Sequence, residues 1–71
     1  MKTLDRMTNT LLASSGTMEG ITAMARKFYC NERIVIEADG QGVLRAKTPN
    51  GTHLTGTRII QKRGRYRLEM Q

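Results

Sequence analysis

Three glycine-terminated triplets punctuate the C-terminal part of the chain: Gly40-Gln41-Gly42, Pro49-Asn50-Gly51 and Lys62-Arg63-Gly64. A three-residue hairpin loop, in which a type I turn is followed by a left-handed residue, takes glycine at its last position because a side chain there is strained. Between the triplets the residues alternate with period two, as in strands that bury one face. Residues 33–71 are therefore predicted to form a four-stranded antiparallel meander in the order 1-2-3-4.

If all three loops are of this one kind, the register is fixed, and a one-residue slip would turn every side chain to the wrong face. The first loop sets Ala38 against Leu44 and Glu37 against Arg45, the second Lys47 against His53 and Leu44 against Gly56, and the third Gln61 against Arg65 and Ile60 against Tyr66. One face then carries Ile34, Ile36, Ala38, Leu44, Ala46, Leu54, Ile60, Tyr66, Leu68 and Met70, with Arg58 as a misfit that reaches out at an edge or marks a bulge. The other face carries Val35, Glu37, Val43, Arg45, Lys47, His53, Ile59, Gln61, Arg65, Arg67 and Glu69.

Residues 1–29 read as helical, with one or two helices packed on the sheet in an α+β domain spanning residues 1–71. Leu4, Met7 and Leu11 form one stripe after Thr3, and Ser14-Ser15-Gly16-Thr17 breaks it. Met18, Ile21, Ala25 and Phe28 form a second, with Thr17 as the N-cap and Glu19 in the first turn, where the helix dipole favours an anion. Gly20 is unfavourable inside that helix, and Cys30-Asn31 ends it.

A chain of 71 residues buries only about 60% of the surface its unfolded form exposes, so its core is thin and a surface-binding role is expected over an enzyme pocket. Twelve Lys and Arg against six Asp and Glu give a formal net charge of +6, the balance of a protein with anionic partners. The excess is local: Lys62, Arg63, Arg65 and Arg67 are opposed there only by Glu69. The lone Cys30 forms no internal disulfide and fits a reducing cytoplasm, and no apolar run is long enough to span a membrane. Cys30, His53 and Asp39 lack any spacing that links them in catalysis, and one Cys, one His and scattered carboxylates make no metal site. Gly16-Thr17-Met18-Glu19-Gly20 lacks the lysine and glycine spacing of a phosphate loop, so no cofactor is expected.

Two function classes remain. In the first, Arg45, Lys47, Lys62, Arg63, Arg65 and Arg67 contact the phosphates of DNA or RNA from the open face and third hairpin of the sheet. Exposed aromatics for base stacking are absent from this reading, since Phe28 and Tyr66 are assigned inward and Tyr29 is unplaced. In the second, Val35, Val43 and Ile59 on the same face form the centre of a protein interface with the arginines as its rim, serving a homodimer or an acidic protein surface, or an edge strand recruits the partner.

Overall fold

The structure is a computed structural model that describes residues 10–71. Over these the chain forms β1 (Leu11–Ser15), α1 (Met18–Tyr29), β2 (Val35–Ala38), β3 (Leu44–Lys47), β4 (Thr57–Lys62) and β5 (Arg65–Met70). The architecture is α+β, with α1 packed on a five-stranded antiparallel sheet ordered β1-β5-β4-β3-β2. The expected four-stranded sheet is thus corrected. The meander strands sit side by side as β5-β4-β3-β2, and β1 adds a fifth strand along β5.

β1 occupies part of the segment expected to be the first helix. Leu11 belongs to this strand rather than to a helical stripe, and Leu4 and Met7 lie outside the described residues. The strand had no alternating pattern to reveal it because its register shifts between Leu11 and Ala13. That bulge lets the neighbours Leu12 and Ala13 both pack against the core, which erases the period of two. Pairing with β5, from Leu11 opposite Glu69 to Ser15 opposite Tyr66, satisfies the backbone.

The second helix forms as its residues dictate. Thr17 is the N-cap, its hydroxyl accepting from the Gly20 N–H at 3.0 Å, with Glu19 in the first turn. Gly20 is explained by close approach: a Cβ there would collide with the Ser15 hydroxyl and crowd that of Thr17. At the other end Cys30 is left-handed (φ 55°), and the Cys30 and Asn31 N–H groups donate to the carbonyls of Lys27 and Arg26, closing the helix in a Schellman motif. Arg26 then ties the helix to the sheet by donating from Nε to the Ile34 carbonyl at 2.7 Å.

Ile21 and Ala25 carry the buried stripe, meeting Ile34, Ala46, Ile59 and Leu68. Phe28, expected inward, is 44% exposed, and Tyr29 packs on the core instead. The two residues flank the stripe at about 50° on either side, so helical period alone does not choose between them. The choice falls to Tyr29 because its hydroxyl finds that of buried Thr57 at 2.8 Å. Phe28 lies edge-on to the Tyr29 ring, with centroids 5.0 Å apart.

The first two loops adopt the expected form. Gly42 and Gly51 have φ of 84° and 94°, and the N–H groups of Asp39 and Thr48 donate to the carbonyls of Val43 and Thr52. Ala38 faces Leu44, Glu37 faces Arg45, and Lys47 bridges to His53. Beyond that bridge the register changes. A turn at Thr55-Gly56 intervenes, and Leu44 meets Ile59 instead of Gly56, three residues further on.

The third loop differs too. Arg63 (φ 53°) and Gly64 (φ 78°) are both left-handed, the signature of a two-residue type I′ turn, so Lys62 faces Arg65, Gln61 faces Tyr66 and Ile60 faces Arg67. Each register change is odd, and each inverts the faces of the strand after it. The two cancel at β5, where Leu68 points to the core as expected and Arg67 away from it. Only β4 is inverted: Thr57 and Ile59 are buried beneath α1, while Arg58, Ile60 and Lys62 share the open face with Arg65, Arg67 and Glu69. Arg58 is therefore no misfit, since it sits opposite Glu69 and pairs with it at 3.6 Å. Met70, assigned to the apolar face, is exposed at the end of the sheet.

Candidate nucleic-acid interface

The residues expected to contact phosphate separate into two groups. Lys62, Arg63, Arg65 and Arg67 come together with Ser14 of β1 around a shallow concavity of about 330 Å³. The type I′ turn makes this possible, because it brings Lys62 and Arg65 directly opposite one another on the open face and puts Arg63 at the tip. Lys62, Arg63 and Arg65 are exposed and have no acidic partner among the described residues. Arg65 reaches the Ser14 hydroxyl at 3.5 Å. Arg67 is half-buried, its Nε donating to Glu69 Oε2 at 3.0 Å.

Among the described residues Glu69 is the one acid beside this cluster, and it pairs with both Arg67 and Arg58. Its charge is thus shared by two guanidiniums on the side away from the hairpin tip. The tip keeps an uncompensated positive field, the arrangement that concentrates polyanions near a surface.

Arg45 and Lys47 do not join this cluster. Arg45 is buried, with 8% of its surface accessible. Its Nε donates to Asp39 Oδ2 at 2.7 Å, and its Nη1 donates to the Thr57 carbonyl at 3.0 Å and to Gln71 Oε1 at 2.5 Å. Asp39 in turn accepts from the Gln41 and Val43 N–H groups across its loop. The Arg45 hydrogen bond, followed by those two backbone donors, lowers the Asp39 pKa from 3.8 to about 2. The Arg45 guanidinium is accordingly taken up by Asp39 of its own hairpin and by Thr57 and Gln71 beyond it. Lys47 is half-buried and pairs diagonally with Glu37 at 3.1 Å, while Glu37 keeps its expected place opposite Arg45.

The expected apolar interface of Val35, Val43 and Ile59 does not form as a patch. Ile59 is 3% exposed within the core, because β4 is inverted, and this assignment is corrected. Val43 is half-buried and Val35 is exposed on edge strand β2. Ile60 takes the open-face position opposite Arg67. His53 is half-buried, and its Nε2 has no hydrogen-bond partner among the described residues.

Two features escaped the sequence reading. Ser14 joins the basic concavity only because β1 is a strand. A second, apolar concavity of about 430 Å³ lies between α1 and β1, lined by residues including Leu12, Met24, Phe28 and Leu68. Exposed Phe28 and Met24 were the available signal for it, and it was hidden by the inward assignment of Phe28. Among the described residues no group of three or more His, Cys, Asp or Glu is placed to hold a metal ion, and no helix is long and apolar enough to cross a membrane. A search of family models, curated proteins and solved structures finds no match to this chain.

Proposed function

We propose that this protein is a nucleic-acid-binding module that grips phosphates through Lys62, Arg63, Arg65 and Arg67, acts without catalysis and works in a reducing cytoplasm. The observation that carries the proposal is the gathering of these cations around one concavity while three of them lack an acidic partner among the described residues. Cations already paired in the fold gain little from a phosphate, because the existing pair must first be broken. Unpaired ones release condensed counterions from the nucleic acid on binding.

The test is titration of labelled DNA and RNA oligonucleotides across a salt series. Four phosphate contacts give a slope of log K against log salt of about −3 to −4. The double substitution Lys62→Glu and Arg65→Glu is expected to lower affinity about 100-fold while leaving the melting temperature nearly unchanged, because both side chains are exposed. Absence of binding at low salt, or binding indifferent to the double substitution, contradicts the proposal.

A second reading, a protein-interaction role that includes self-association, draws on the edge strands. Val35 on β2 and Leu11 on β1 are 42% and 46% exposed at the two sheet edges. A concentration-dependent mass in sedimentation, abolished by Val35→Lys or Leu11→Lys, would favour it over the nucleic-acid reading.

A further inference from the structure

The phosphate reading leaves open which form of nucleic acid the hairpin accepts, and two independent observations bear on that choice. The first concerns stacking. The whole chain has three aromatic residues, Phe28, Tyr29 and Tyr66. Tyr29 and Tyr66 pack against the core from the helix side, and Phe28 sits on α1 against Tyr29. None stands on the open face with the cations. Proteins that hold single strands combine a basic track with aromatic platforms for unstacked bases, and here the platforms are absent. A purely electrostatic site gains most from the higher charge density of a duplex.

The second observation is the shape of the tip. The pairs of β4 and β5 run out to Lys62 opposite Arg65. The flanking strands stop short of this: β1 makes its last pair at Ser15–Tyr66, and β3 pairs with β4 at Leu44–Ile59. The β4–β5 hairpin thus ends in the Lys62–Arg65 pair and a tight type I′ turn that reach past the last pairs of both flanking strands, with Arg65 still touching Ser14 of β1. The major groove of B-form DNA is wide enough to admit a two-stranded hairpin tip.

From these two features, and resting on the phosphate reading above, we infer that the ligand is double-stranded nucleic acid and that the β4–β5 ribbon enters its groove, with Lys62, Arg63 and Arg65 meeting phosphates on the groove walls. The tip geometry also supplies a variant that spares the fold. Asn is well suited to the left-handed position held by Arg63, so Arg63→Asn removes the tip cation without straining the turn.

The experiment titrates the full chain against mixed-sequence 20-bp DNA and RNA duplexes and against each of their separated strands at one salt concentration. The more tightly bound duplex is expected to exceed its own strands by about tenfold, as its charge density implies. Arg63→Asn is expected to weaken duplex binding about fivefold and to reduce the salt slope by about one, with an unchanged melting temperature. Strands bound as tightly as the duplex, or an Arg63→Asn variant that binds the duplex as the parent does, overturn the ribbon-in-groove inference and leave phosphate binding standing. Failure of every duplex and strand to bind overturns the phosphate reading itself.

Discussion

The two hairpins at opposite sides of the sheet both carry Arg and Lys, and they use their cations in opposite ways. In the β2–β3 hairpin Arg45 is held by Asp39 and by the carbonyls of Thr55 and Thr57, and Lys47 by Glu37. In the β4–β5 hairpin Lys62, Arg63 and Arg65 are exposed without an acidic partner among the described residues. Positive charge in a sequence is thus not a count of binding sites. What matters is whether an acid lies at the matching place across the strand or in the loop. Asp39 sits at the first loop, and the third has Lys62, Arg63 and Gly64 in its place.

The largest expected effect concerns the register that separates the two hairpins. Ile59→Ala should cost about 3 kcal/mol in chemical denaturation, because Ile59 is buried against Leu68 and Leu44, while Ile60→Ala on the open face should cost about 1 kcal/mol. Equal losses, or the reverse order, would restore a three-residue third loop and put Lys62 and Arg65 out of register. Next comes Arg45→Met, which preserves volume but removes several charge-assisted hydrogen bonds. It should lower stability by about 2 kcal/mol and leave nucleic-acid affinity, measured where the variant is folded, within about twofold of the parent. A large loss of affinity in folded Arg45→Met would mean that both hairpins bind.

The acid limb of the stability curve gives a smaller and more specific signal. The Asp39 pKa is depressed in the folded chain, so its contribution is fully present above the unfolded value of 3.8 and is lost as pH falls through about 2. Asp39→Asn should flatten the fall in melting temperature between these values. An acid limb identical in parent and variant would show that Arg45 does not depend on Asp39.

Much of the fold was legible in residue type and spacing. The glycine at the end of each of the first two loops specified both loop type and the Ala38–Leu44 and Lys47–His53 registers, because left-handed positions admit few residues cheaply. The third triplet also ends in glycine, yet Arg63 accepts a left-handed conformation beside it, and nothing in the local sequence announces that the loop is one residue shorter. The turn at Thr55-Gly56 was equally silent. As the two shifts cancel at β5, the cationic face of Arg65 and Arg67 was read correctly even though Ile59 was not. Arg45 and Arg65 look alike as alternating strand residues. They differ through their partners, Asp39 in the adjoining loop together with Gln71 and the Thr57 carbonyl, which strand alternation does not encode.

The comparison between hairpins is tested most directly by mapping backbone amide shifts by NMR as a 20-bp duplex is added to labelled protein at low salt. The account predicts that shifts concentrate at residues 62–67 and at Ser14, with the amides of Glu37, Arg45 and Lys47 nearly still. Shifts centred on Glu37–Lys47, or on Met24 and Phe28 beside the apolar concavity, would contradict it.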